Sequence, residues 1–280
     1  MASNLYVPPG TSAARADQSL WAARRSAVWL QSPWLWSTVI TAVLLAWWGH
    51  ASGGVPPALA HLWQWSPALL RGMWTNIYIS ALAMVLGTLA GLVIGAMALS
   101  QWNAVRTATR WYVQAFRNAP VLVLIYFTTY IFPFEVQLAQ WRLPFPDWIK
   151  VVLGLALPTS AVVAEIFRGA IQSIPSAQWE AAQSLAFKRT QIFRWIILPQ
   201  CVRRMLPPWM NLYASITMST SLASLVGVHD IVDTAQIASN TVARTDFTVL
   251  VYFTLLAMFF AYCYPIARYT RQLEKRHALR

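Results

Sequence analysis

Charge is scarce in this 280-residue chain: 11% of its residues are Asp, Glu, Lys or Arg, against about 25% in soluble domains. So little charge cannot clothe a water-facing surface in the ordinary way. Acids are rarest, nine against 21 Lys and Arg, which leaves few mid-span carboxylates for an ion-coupled carrier. Cysteine is almost missing. Cys201 and Cys263 stand far apart, with neither a disulfide framework nor thiolate metal spacing. The four His residues are scattered and none falls in a His-Glu-x-x-His pattern, so zinc chemistry has no support. No Gly-x-x-x-x-Gly-Lys-Ser/Thr occurs, so the chain lacks the loop that cradles ATP phosphates. With no convergent nucleophile, acid–base or metal set, the sequence gives no case for an enzyme.

Apolar surface is what the chain has. It is 58% hydrophobic with a mean hydropathy of +0.47. It holds 16 Trp, a residue that favours the membrane–water boundary. A spanning helix needs about 20 mostly apolar residues. Six stretches qualify or nearly do, at about 33–49, 73–99, 112–132, 149–172, 207–228 and 249–269. The first follows Arg24 and Arg25 and precedes Ala58-Leu59-Ala60, which resembles a signal-peptide cleavage site. That site lies well beyond the apolar run, so the segment reads as a retained anchor helix.

The net charge of +12 would suit a nucleic-acid partner if gathered on one face. Instead it alternates. Arg15, Arg24 and Arg25 precede the first stretch, and Arg106 and Arg110 lie between the second and third. The 173–206 segment and the C-terminal stretch from Arg268 onward carry five basic residues each. The intervening loops hold only Arg71, Arg142, Lys150 and Arg244. By the positive-inside rule, both termini and the 173–206 segment face the cytoplasm. The charge is a topology signal, and no nucleic-acid partner is expected.

Gly87, Gly91 and Gly95 recur on one helix face of the second stretch, a pattern that lets another helix approach closely. The fifth stretch is oddly polar, with Asn211, Ser215, Thr217, Ser219, Thr220, Ser221 and Ser224. Such groups serve either helix–helix hydrogen bonding or the lining of a wet pathway for a polar solute. Glu165 and Arg168, three apart, are placed to pair. They and Arg117 are charges within spans, candidates either for structural pairing or for gating.

The 173–206 segment is the most informative. It reads Ile174-Pro175-Ser176-Ala177-Gln178-Trp179-Glu180-Ala181-Ala182, then Ala186 after three more residues, and later Ile196-Ile197-Leu198-Pro199. Ser176 is placed to cap a short helix beginning near 177, and Glu180 suits the positive end of that helix. Ala181 and Ala182 give a smooth surface that another protein can approach. Pro199 should end or bend the segment that follows that short helix.

This segment resembles the Glu-Ala-Ala loop of bacterial ABC importer permeases: Glu-Ala-Ala, three residues, Gly, nine residues, Ile-x-Leu-Pro. Glu180, Ala181, Ala182, Ile196, Leu198 and Pro199 match it, and Ala186 stands where the family has Gly. The flanks are similar to the polar amino-acid uptake group (histidine, glutamate, glutamine, arginine, opine). They are Ala164-Glu165-Ile166-Phe167-Arg168-Gly169-Ala170-Ile171, Phe116-Arg117-Asn118-Ala119-Pro120, and Asn211 followed by Ser219-Thr220-Ser221-Leu222. Met218 stands where that group often has Lys.

The resemblance implies an all-α, polytopic transmembrane helical bundle of about six spans, a five-helix importer core with an added N-terminal anchor. The expected organisation is a cytoplasmic tail (1–32), an anchor helix and periplasmic loop (33–68), the importer domain (69–270) and a cytoplasmic tail (271–280). It implies a multi-pass protein of the bacterial inner membrane moving a polar amino acid, and three protein partners. These are a cytoplasmic ABC ATPase dimer docking on the Glu180–Ala186 region, a periplasmic solute-binding protein, and a second permease subunit, identical or homologous. No cofactor is expected on this chain; ATP and magnesium belong to the ATPase.

Overall fold

The computed structural model describes residues 57–138 and 141–278. Contacts divide the chain into Met1–Ala60 and His61–Arg280. Of the first unit only residues 57–60, the opening turn of a helix, are described, and the expected anchor at 33–49 lies outside the described residues.

The elements run α1 (Pro57–Ala98), α2 (Asn103–Asn118), α3 (Val121–Ile131), β1 (Glu135–Leu138), β2 (Trp141–Pro144), α4 (Asp147–Gln172) and α5 (Ser176–Ser184). A helical turn at Arg189–Gln191 and a π-helical stretch at Ile192–Ile197 lead into α6 (Leu198–Ser219). A 3₁₀ stretch (Thr220–Val226), α7 (Ile231–Val242) and α8 (Thr245–Ala278) complete the described chain. The expected all-α bundle is present, with one antiparallel hairpin, β1–β2, pairing Glu135 with Pro144 and Leu138 with Trp141. Among the described residues three helices are long and apolar enough to cross a membrane: α1, α4 and Thr245–Glu274 of α8.

Two expected spans take a different form. The 112–132 stretch is not one helix, because Pro120 cannot donate a hydrogen bond and forces Ala119 into extended backbone (ψ 138°). The 11 residues of α3 reach only about 16 Å, half of a hydrocarbon core of about 30 Å, so α3 alone does not cross it. The 207–228 stretch begins earlier, at Leu198, and turns to 3₁₀ winding after Ser219. Gly227 closes that stretch at φ 82°, a conformation costly for any residue with a Cβ. The hairpin and α7 fall where no element was expected.

The glycine face of the second stretch sets the packing. A Cβ at Gly87 would lie 2.5 Å from Thr159, at Gly91 2.6 Å from the Ser160 carbonyl, and at Gly95 2.8 Å from Phe167. α1 and α4 therefore lie in close contact and run in the same direction. α3 runs against α4: Thr128 Oγ1 donates to the Lys150 carbonyl (2.9 Å), and Gly154 sits against the Ile125 backbone. Ile79, Ala83, Ile125, Val151, Leu155 and Ile216 fill the space between these helices. The bundle thus has a hairpin end, with β1–β2 and α7, and a loop end, with α5 and the π-helical stretch.

Candidate functional site

At the loop end, α5 starts at Ser176, one residue before the expected position. Pro175, not Ser176, occupies the capping position, and no side-chain cap forms. The proline's φ of −59° already suits a helix start. The far end closes as a Schellman motif: Ala186 N–H donates to the Gln183 carbonyl (2.9 Å) and Phe187 N–H to the Ala182 carbonyl (3.3 Å). That motif needs a left-handed residue, and Ala186 supplies it at φ 59°. The resemblance placed a glycine there, and the conformation glycine would ease is retained without it.

Ala182 points inward and is buried with Ala170, Ile174, Ile192, Ile197 and Cys201. Glu180, Ala181 and Ala186 are exposed. Glu180 makes no ion pair among the described residues. Leu185 beside them is 72% exposed and Trp195 61%, both large apolar groups facing outward. Two polar links fix this segment to the bundle. Gln200 donates to Gln178 (2.7 Å), and Arg204 donates to the Ser173 carbonyl (2.7 Å) at the end of α4. Pro199 does not end a helix. It occupies the opening turn of α6, and the looser π winding before it gives its ring room. Ile196 and Leu198 are half-buried on either side of that junction.

Arg117, Glu165 and Arg168 come together. Arg168 grips Glu165 with two bonds, Nε to Oε1 at 3.2 Å and Nη2 to Oε2 at 2.7 Å, and donates to Gln172 (2.8 Å). Arg117, from the last turn of α2, stands 3.9 Å from the same carboxylate. These groups line a cavity of about 690 Å³ that also receives Arg106 and Arg110. Glu165 borders a second cavity of about 400 Å³, whose other wall is Arg204 and Pro208 of α6.

On α6, Asn211, Ser215 and Met218 form an exposed stripe at helical spacing. Ser219 donates to the Ser215 carbonyl and Ser221 to the Met218 carbonyl (3.0 and 2.8 Å), so their hydroxyls satisfy themselves on their own chain. Thr220 is fully buried and accepts a hydrogen bond from Asn76 Nδ2 (3.0 Å).

The same amide of Asn76 donates to Asp230 Oδ2 (3.1 Å), and its carbonyl accepts from Ile231 N–H (3.1 Å). Asp230 is fully buried and caps α7 through Asp233 N–H (2.8 Å). Burial pushes its carboxyl up to about 6, against the pull of the Asp233 N–H and Asn76 bonds. This knot joins α1 to α7 and the 3₁₀ stretch, and sequence reasoning missed it. Asp230 ahead of a helical run was a readable cap, whereas Asn76 is one amide in an apolar run and carries no local signal. Lys150, assigned from sequence to a loop, is fully buried, paired with Asp147 (2.9 Å) and 3.9 Å above the Phe134 ring. Among the described residues no cluster of His, Cys, Asp and Glu is fit to hold a metal.

A family profile described as "Binding-protein-dependent transport system inner membrane component" matches residues 83–277. The octopine transport system permease protein OccM of Rhizobium radiobacter is 33% identical, over 77% of this chain and 88% of that one. A solved amino acid ABC transporter with histidines superposes with a TM-score of 0.67 at 26% identity, covering 77% of this chain and 96% of that one. The MetNI methionine ABC transporter in an inward-facing conformation shares the fold alone, with a TM-score of 0.57 at 16% identity over 74% and 96% of the two chains.

Proposed function

Because this chain belongs to the binding-protein-dependent transport system inner membrane components, and is thus an ABC importer permease, we propose that it carries a polar amino acid inward, driven by a separate ATPase pair that docks on α5. One observation carries this function. Glu180, Ala181, Ala186 and Leu185 form an exposed, acid-bearing and partly apolar face on a short helix. That helix is fastened to α6 by Gln200, and α6 to the end of α4 by Arg204. A partner pressing on α5 therefore moves the feet of two membrane helices together.

The amino-acid cargo is inferred from the octopine permease and the amino acid transporter to which this chain is similar. The positive-inside pattern puts the loop end and both termini in the cytoplasm. The hairpin end then meets a periplasmic solute-binding protein, and ATP with magnesium is used by the ATPase. The exposed polar stripe Asn211–Ser215–Met218 is unsuited to lipid and fits a solute path shared with a second permease subunit. Arg117, Glu165 and Arg168 sit toward the loop end of the bundle, where breaking the pair would accompany gating. An ion-coupled carrier fits less well, since Glu165 is already engaged by Arg168 and stands beside Arg117.

Glu180→Arg reverses the one acid of the docking face without touching the packed side of α5. Transport of a labelled amino acid and transport-coupled ATP hydrolysis should both fall about tenfold or more, given the 2–5 kcal/mol cost of a mispaired interface charge. Transport at the wild-type rate would refute docking at α5.

A further inference from the structure

We propose that the arginine-lined cavity at the loop end binds the phosphate of an anionic phospholipid headgroup. The charge balance comes first. Arg106, Arg110, Arg117 and Arg168 converge on this cavity, and Glu165 is the one acid lining it. That carboxylate is already taken by Arg168. Arg106 bonds to the amide oxygen of Asn103, and Arg110 has no acidic group within ion-pair distance among the described residues. The cavity thus presents an excess of guanidinium groups, the side chain whose planar fork matches phosphate oxygens.

Depth decides where the anion comes from. The cavity wall includes Leu99 and Ser100, just past the end of α1, and Gln172, the last residue of α4. It therefore lies where two membrane-length helices stop, the level of headgroups. Basic pockets between membrane helices at that level suit phospholipid headgroups. A volume of about 690 Å³ holds a glycerophosphate head with room to spare.

A lipid also needs a bed for its tails. Leu86, Leu89, Val93 and Met97 lie in a stripe on one apolar face of α1, 42–61% exposed, on the helix whose end lines the cavity. Trp102 and Trp111, 76% and 70% exposed, stand just before and on α2 at the same end, as expected of interfacial anchors. A free inorganic anion would use the arginines and leave the stripe unused.

The inference is independent of the cargo and is read without transport. The full-length chain in a mild uncharged detergent is titrated with dioleoyl-phosphatidylglycerol or dioleoyl-phosphatidylcholine, and bound lipid is counted by native mass spectrometry. Phosphatidylglycerol should be retained about tenfold or more above phosphatidylcholine. Arg106→Gln with Arg110→Gln should abolish that preference, and Arg106→Lys with Arg110→Lys should keep most of it. Equal retention of the two lipids by the wild-type chain overturns the proposal, whatever the variants do. So does an unchanged preference in the glutamine variant. Displacement of the lipid by millimolar inorganic phosphate would identify a free-anion site instead. Loss of lipid on adding the partner ATPase, with crosslinks from its acids to position 110, would make this a protein contact and likewise overturn the lipid assignment.

Discussion

At the scale of single residues, Ala186 and Asp230 both hold unfavourable states that their surroundings enforce. Ala186 sits at φ 59°, where a Cβ costs about 1–2 kcal/mol. Ala186→Gly removes that strain but gives the unfolded chain more freedom, an offset of about 0.4–1 kcal/mol. The net expectation is a stabilisation of up to about 1 kcal/mol, measured as a higher unfolding midpoint in detergent. Ala186→Val should destabilise, because a branched side chain tolerates this region worse than alanine. Asp230 behaves in the opposite sense to most carboxylates. Its folded value, about 6, lies above its ordinary 3.8, so between those values the folded state binds more protons than the unfolded one. Its contribution is therefore most favourable below about pH 4, declines as pH rises to about 6, and is level above that, a swing on the order of 3 kcal/mol. Thermal unfolding from pH 4 to 8 should show this fall, and Asp230→Asn should flatten it.

At the scale of elements, close helix contact gives the sharpest contrast. Gly91→Ala drives a Cβ to within 2.6 Å of the Ser160 carbonyl and of Val163. Backbone cannot rotate aside, so a loss of about 1–3 kcal/mol is expected. Gly169, also in a helix, has nothing within 4 Å of its notional Cβ, so Gly169→Ala should be neutral or stabilising by about 0.5–1 kcal/mol. Comparing the two unfolding midpoints tests the α1–α4 interlock directly. The same contrast explains what the sequence could disclose. The glycine spacing, the α5 region and the pairing of Glu165 with Arg168 are local patterns, three to four residues apart, and were legible. The break at Ala119–Pro120 was written in the proline but masked by the apolar run around it. The approach of Arg117 to Glu165 and the bridge from Asn76 to Thr220 and Asp230 join residues 48 to 154 positions apart. Periodicity in a single chain carries no trace of such partners.

At the scale of the whole molecule, the uneven polarity of the bundle surface divides what faces lipid from what faces water or another subunit. Val249, Phe253 and Leu256 on α8 are exposed and apolar, whereas the exposed stripe of α6 presents Asn211 and Ser215. With Cys201 and Cys263 both replaced by Ser, a cysteine introduced at 211 or 215 should react with a charged, membrane-impermeant thiol reagent when both membrane faces are exposed to it. One at 253 should not. Reaction at 253 alone would invert the assigned surfaces. Finally, the interruption at Ala119–Pro120 leaves two rods meeting end to end where one helix was expected. α3 is pinned where Gly154 seats against Ile125 and where Thr128 holds the Lys150 carbonyl. α2 carries Arg106, Arg110 and Arg117, has no hydrogen bond from position 120 to hold it in line, and is tied to α4 by Tyr112–Ser160 (2.8 Å) and Arg117–Glu165 (3.9 Å). Loosening those two ties would leave an elbow at Ala119–Pro120 about which the basic half turns while α3 keeps its seat.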